Sequence, residues 1–253
     1  MTRLDLRYKV GPFNRRHVVH VPSCYAEMTT HQFVAMSMLC MGLIEEDEFI
    51  RVYFELFDAH YSMLDDFQKY KMLQTLDFWK TEKPSGRIIL NKISNYVGPN
   101  HNLTDVTLSQ FMAIDTYFSW YNVTGKVEWL DKMMAMMYHI PGESFNPSDN
   151  LQEPDIEANI KAMSRLKPGI KIAAYVNWSF IKNWLSTVYK ELFPKSIGES
   201  KPTPAKWLDV FDNFVGDNVA QMDKYKNMPC MDALRIMNKR IKEAKYENHR
   251  RIH

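Results

Sequence analysis

The residues with the most direct potential for chemistry are His17 and His20, which stand three positions apart. Zinc hydrolases place two histidines one helical turn apart, with a glutamate directly after the first. Here the surrounding residues alternate between apolar and charged types, which indicates a strand and places the two rings on opposite faces. We therefore predict no metal site and no bound cofactor.

Paired carboxylates and free thiols are the other candidates for chemistry. Residues 45–48 and 65–66 bring acidic side chains together, as acid/base or Mg²⁺ chemistry requires. Both groups fall at predicted helix starts, where the helix dipole stabilises negative charge. Cys24 and Cys40 stand beside apolar residues and are predicted to pack as small hydrophobic side chains. Since no nucleophile elbow and no glycine-rich phosphate loop is present, we expect a protein that is not an enzyme.

Composition favours a mainly helical globular protein. Apolar residues make up 45% of the 253, and there are only 9 glycines, whereas all-β proteins use glycine in their many turns. Three cysteines, far apart in the sequence, predict reduced thiols. The N-terminal residues are interrupted by charge, and no apolar run approaches the roughly 18 residues of a membrane span. We expect a protein made in the cytoplasm, without a signal peptide and without membrane contact.

The charge is unevenly distributed along the chain. Between Arg235 and His253 there are seven Lys or Arg and two Asp or Glu, so this segment carries +5 and the remainder −3. Such a basic segment suggests an acidic partner, either nucleic acid or another protein. A solvated helix end is the alternative explanation.

The first 27 residues are predicted to form an extended N-terminal arm. Apolar and charged residues alternate from Leu4 to Val10, Gly11-Pro12 predicts a turn, and residues 18–21 are predicted to return as a second strand. A two-stranded ribbon is marginal in water by itself. We therefore expect it to lie on the body of the protein or on a neighbouring subunit.

Residues 28–194 are predicted to form a helical body. Thr29, with Gln32 three residues later, predicts a capping box, and Thr107 with Gln110 repeats the pattern 78 residues on. Each pattern begins a predicted helical hairpin, which suggests either a duplication or two independent good helix starts. Residues 87–90 are predicted to form a short strand, residues 141–155 a long loop, and residues 170–193 a central buried helix. The methionines at 133, 134, 136 and 137 are predicted to be core or an adaptable partner surface.

The end of the chain is predicted to be a separate helical unit. Residues 195–204 have the composition of a linker, and residues 205–253 contain two predicted helices with a basic tail. On the last helix Leu234, Met237 and Ile241 form one apolar stripe, which predicts docking by that face. The sequence thus predicts a mainly α fold: a multi-helix domain built from helical hairpins, with a short N-terminal β-like arm.

Several short motifs of this sequence together resemble a known family, and two of them contain the helix starts at Thr29 and Thr107. The motifs are 21–29 with Gln32-Phe33, Thr107 with Gln110-Phe111, Ala135-Met136-Met137-Tyr138 with Pro141-Gly142, Lys167-Pro168-Gly169-Ile170-Lys171, Trp184-Leu185, Glu191-Leu192-Phe193-Pro194, and Trp207, Gly216 and Met228-Pro229-Cys230. The family that they resemble is the neck or ring (head-to-tail adaptor) structural proteins of crAss-like and related Bacteroidetes phages. Tyr25 stands where many relatives have Trp, and the Gly-Cys pair expected before Trp184 is absent.

The resemblance implies a virion protein that forms a ring with copies of itself and contacts the portal and other neck or tail proteins. In such a ring the N-terminal arm would lie on the next subunit. The subunit-interface residues implied are Leu4, Leu6, Tyr8, Val10, Val18, Val19 and Val21. Basic residues would face DNA passing through the channel, or acidic subunits. These candidate contacts are Arg3, Arg7, Arg15, Arg16, Lys239, Arg240, Lys242, Lys245, Arg250 and Arg251.

Three other functions remain open at this point. A tail-assembly chaperone would share the capped helical hairpins and a methionine-rich surface. A helical nucleic-acid-binding protein, or an enzyme whose site is assembled from distant residues, would also be compatible with the sequence.

Overall fold

The fold is mainly helical, with one strand pair at the N-terminus, as the sequence predicts. The structure is a computed structural model, and it describes residues 2–10, 12–83, 85–142, 154–194 and 206–252. The chain divides into two compact units. The first unit comprises residues 1–83 and 168–173, and the second comprises residues 84–167 and 174–253. The predicted arm at 1–27, body at 28–194 and C-terminal unit at 205–253 stay predictions, and the predicted linker at 195–204 lies outside the described residues.

The first unit begins with a ribbon followed by short helices. Strands β1 and β2 pair antiparallel, with Arg7 opposite Arg16 and Leu4 opposite Val19. In chain order the elements are β1 (Thr2–Val10), β2 (Phe13–Val21), α1 (Thr30–Cys40), α2 (Glu46–Tyr53), α3 (Asp58–Tyr61), α4 (Asp66–Gln74) and α5 (Phe78–Thr81). Rings of α2 and α5 pack together: the half-buried Trp79 lies 5.4 Å from the buried Phe49 and 5.7 Å from the buried Tyr53 between ring centroids.

Side-chain caps fix two helix starts in this unit. Thr29 and Gln32 form both hydrogen bonds of the predicted capping box at α1. Asp65 and Gln68 form a second complete box at α4, which the sequence analysis did not identify. The Gln68 side chain also donates to the main-chain oxygen of Arg7 at 2.8 Å, so the same residue begins α4 and holds the ribbon.

The second unit contains the longest helices. Its elements are β3 (Lys92–Ile93), β4 (Tyr96–Val97), α6 (Leu108–Thr124), α7 (Val127–Met137), α8 (Pro154–Ser164), the part of α9 (Pro168–Val188) from Ala174 onward, α10 (Trp207–Val215), α11 (Met222–Lys226) and α12 (Cys230–Ile252). The predicted hairpin of α6 and α7 is present, joined at Gly125. That glycine has φ +66°, a left-handed conformation that favours glycine because it has no Cβ.

Helix α6 begins differently from its predicted twin. Thr107 accepts a hydrogen bond from the Gln110 main chain, but the Gln110 side chain does not close the box. It donates instead to the main-chain oxygen of Met136 at 2.7 Å, because Gln110 is buried beside the end of α7. The four methionines of α7 are also buried, so they belong to the core and do not form a partner surface.

A buried carboxylate joins three helices of this unit. Asp115 of α6 is 2% exposed. Its Oδ1 accepts from Trp178 Nε1 at 3.2 Å, and its Oδ2 accepts from Trp207 Nε1 at 2.7 Å and from Lys182 Nζ at 2.8 Å. The Lys182 ammonium also lies 4.6 Å from the centre of the Phe193 ring. Every polar group of this cluster therefore has a partner, as a buried charge requires.

The segment 87–90 is not the predicted strand. The buried side chain of Asn177 accepts from the main-chain nitrogens of Ile89 and Leu90 at 2.8 and 2.9 Å, and donates to the Arg87 oxygen at 3.2 Å. One amide side chain thus forms the hydrogen bonds that a neighbouring strand would otherwise provide. The strands of this region are β3 and β4, which pair with each other. The predicted central helix also ends earlier, at Val188 instead of residue 193. Residues 143–153 of the predicted loop lie outside the described residues.

Candidate interaction surfaces

The residues singled out for chemistry do not come together around one site. His17 has His60 of α3 as its ring neighbour, 6.0 Å away between centroids. Within the described part of the chain, no group of three or more His, Cys, Asp or Glu side chains is arranged to hold a metal ion. Cys24 is half-buried, whereas Cys40 is exposed, so the prediction that Cys40 packs inside is wrong. It stands at the last position of α1, directly before an exposed turn.

Cys230 gives a direct test of the packing of the second unit. The thiol is fully buried at the start of α12, and burial raises its pKa to about 12. Because only the thiolate reacts, we expect no alkylation of Cys230 by N-ethylmaleimide at pH 8 in the folded protein. Mass spectrometry of a Cys24→Ser/Cys40→Ser variant measures this. Labelling should appear only when urea unfolds the chain, and prompt labelling without urea would contradict the buried position.

The apolar side of the ribbon packs on the chain itself at its base. Leu6, Val19 and Val21 are buried, and Leu4 is half-buried. These residues are thus already covered within the chain, and their subunit-interface role stays a prediction. Val18 lies on the other face and is half-buried, and the side chains of Tyr8 and Val10 are outside the described residues.

The other side of the ribbon is a cationic surface. The pairing register places Arg7, Lys9 and Arg16 on this face, together with Arg3 toward the base, and all four are exposed. Arg15 belongs to the opposite face by register but is exposed as well. The predicted basic residues of the arm are therefore accessible, which leaves their role as partner contacts a prediction.

Arg16 differs from the other cations because it is paired. Its guanidinium donates Nε to Asp5 Oδ1 at 2.8 Å and Nη2 to Oδ2 at 2.6 Å. This hydrogen-bonded contact holds the pKa of Asp5 below its ordinary value. The pair relieves the repulsion expected between Arg7 and Arg16, which are directly opposite each other. Its contribution is present at neutral pH and is lost as the pH falls through the lowered pKa of Asp5.

The basic end of α12 uses several of its cations within the second unit. Arg240 donates to the main-chain oxygen of Phe214 at 2.7 Å and lies 5.1 Å from that ring. Lys245 contacts Glu191 at 2.6 Å, and Lys239 lies 3.7 Å from Glu243. Lys242 and Arg250 are exposed, and the side chain of Arg251 is outside the described residues. The predicted docking stripe is confirmed for Leu234 and Met237, which are buried, while Ile241 is half-buried.

The first unit also exposes aromatic rings that the sequence analysis missed. On α4, Phe67 is 63% exposed and Tyr70 is 60% exposed, whereas Met72 of the same helix is fully buried. Phe57, at the N-cap of α3, is 71% exposed. Phe67 and Tyr70 are three residues apart, which places them on one outward face. The absence of an apolar/polar division along α4 was the available signal.

No similarity to a known protein indicates what these surfaces bind. Comparison with protein-family models, curated proteins and solved structures found no match. Among the described residues, no helix has the length and apolar content needed to cross a membrane.

Proposed function

We propose that the chain is a structural virion protein of a tailed bacteriophage, a ring or adaptor in the head-to-tail neck. It acts without a catalytic step, by binding copies of itself, the portal and other neck or tail proteins, after synthesis in the host cytoplasm. The observation that carries the proposal is the outward aromatic pair of α4, Phe67 and Tyr70.

Exposed aromatic rings on a short helix favour a protein partner. Burying a side chain of this size contributes about 1.5–3 kcal/mol, so two adjacent rings supply a substantial anchor. Aromatic residues are also enriched among the few interface positions that dominate binding energy. Phe57, at the N-cap of α3, adds a third exposed ring to the same unit.

The resemblance of the short motifs to phage neck or ring proteins is the reason for proposing a role in the neck. The helix starts at Thr29 and Thr107, and the segment Met228-Pro229-Cys230, lie at structurally defined points. The Leu108 nitrogen donates to the Met228 oxygen at 2.9 Å, and the Cys230 nitrogen donates to the Val106 oxygen at 2.9 Å. Two of the motif segments thus hold each other in place. The alternative function, a tail-assembly chaperone, is less well supported. The methionines of α7 that would give it an adaptable surface are buried.

Light scattering after size-exclusion chromatography tests the proposal, with the chain alone and mixed with portal protein. We expect the wild-type chain to form multimers or to bind portal, and a Phe67→Ser/Tyr70→Ser variant to lose most of that mass. Leu208→Ser is the matched control, because Leu208 is 74% exposed but belongs to the second unit. A chain that stays monomeric at every concentration and ignores portal would contradict the proposal.

A further inference from the structure

The tip of the N-terminal ribbon is exposed on both of its faces. Phe13 and Arg15 belong by register to the face that is buried at its base through Leu6 and Val19, yet both are exposed. Residues 12–16 are all exposed. The base of the ribbon is therefore packed on the first unit, while its distal half is accessible from both sides.

The charge of this tip is of one sign. Residues 7–16 contain Arg7, Lys9, Arg15 and Arg16 and no acidic residue. Arg16 is committed to Asp5, and the described residues supply no ion pair for the other three. Together with Asn14 these four cations line an open groove of about 480 Å³. Three cations are thus available to a partner that brings negative charge.

We infer that the ribbon tip binds the phosphate backbone of double-stranded DNA. Alternate residues of a strand are about 7 Å apart, so Arg7 and Lys9 present their charges at intervals that suit a row of phosphates. The major groove, about 12 Å wide, admits a two-stranded ribbon. Although Arg15 belongs to the opposite face by register, it lines the same open groove as Arg7 and Lys9, so its charge adds to theirs.

The composition of the cationic face favours DNA over an acidic protein. By register this face consists of Arg3, Asp5, Arg7, Lys9, Asn14, Arg16, Val18 and His20. Val18 is its single aliphatic member and is half-buried. Protein interfaces rely on aromatic and aliphatic anchors at their centre, whereas DNA interfaces are more polar and much more positively charged. The inference concerns a different surface from the aromatic pair of α4, so it goes beyond the proposed function and either can fail alone.

Fluorescence anisotropy with a labelled duplex of mixed sequence tests the inference across a KCl titration. We expect binding whose log–log salt slope is about −3, because each neutralised phosphate contributes about −0.9. Arg7→Ala/Lys9→Ala/Arg15→Ala should weaken binding at least about tenfold and remove most of the slope. Arg7→Lys/Arg15→Lys keeps the charge and should retain both affinity and slope.

The matched control removes the same charge from the second unit. Lys239→Ala/Lys242→Ala/Lys245→Ala should change the affinity by less than about twofold if the ribbon carries the phosphate contacts. Loss of binding in this control, with binding retained in the ribbon variant, would overturn the inference in favour of the α12 tail. Competition by poly-glutamate as effective as unlabelled DNA at equal charge would overturn it in favour of an acidic protein. Absence of wild-type binding at low salt would overturn it outright, whatever the light-scattering result on assembly.

Discussion

Replacing Asp115 with alanine is expected to lower the free energy of unfolding of the second unit by about 3–5 kcal/mol, the usual cost of removing one partner of a buried ion pair. The substitution leaves the Trp178 and Trp207 N–H groups and the Lys182 ammonium without their shared acceptor. Urea titration followed by circular dichroism measures the loss. With a slope near 2 kcal/mol/M, the midpoint should fall by about 1.5–2.5 M.

Two further variants separate the carboxylate from general surface effects. Asp212→Ala removes an exposed carboxylate from α10 and should change stability by less than about 0.5 kcal/mol. Lys182→Met should cost less than Asp115→Ala, because Asp115 keeps both indole donors and Lys182 is partly exposed. If Asp115→Ala behaves like Asp212→Ala, the carboxylate does not join the helices as described.

Asn177→Ala is expected to cost about 2–4 kcal/mol, since each buried donor left without an acceptor costs about 1–3 kcal/mol. Asn177 is fully buried and is the acceptor for the main-chain nitrogens of both Ile89 and Leu90. Hydrogen exchange followed by mass spectrometry offers a local readout beside the urea midpoint. Exchange should accelerate in the peptide that contains residues 87–90, because the main-chain N–H groups of Ile89 and Leu90 both donate to this one side chain.

Asn183→Ala provides the comparison on the same helix. Asn183 is exposed, and alanine is a better helix former, so stability should be unchanged or slightly raised. Equal exchange at residues 87–90 in wild type and Asn177→Ala would show that the segment is held by other contacts.

The helix starts were predictable because a cap is a local interaction. Thr29 and Gln32 lie three residues apart, and nothing else competes for the Gln32 side chain. The same pattern at Thr107 was only half right, because Gln110 has a distant partner in Met136. The strand predicted at residues 87–90 was wrong for the same reason. Their strand-like composition is satisfied by Asn177, almost 90 residues later, and no local pattern reveals such a partner.

The candidate surfaces were predictable in part. Alternation along residues 4–10 correctly predicted a two-sided ribbon, and the positions of Arg7 and Arg16 on its exposed face follow from the pairing. The sequence could not tell whether the apolar side meets the chain itself or a neighbour, since both bury the same residues. Phe67 and Tyr70 were missed because aromatic residues at helical spacing usually indicate the core, whereas the absence of an apolar/polar division along α4 indicated otherwise.

Quantitative mass spectrometry of purified phage particles tests the proposed role in the neck most directly. A neck ring requires the chain in every particle at a fixed ratio to the portal subunit, and we expect that ratio to survive washing at high salt. Particles that are complete and infectious but contain none of the chain would contradict a structural role in the neck.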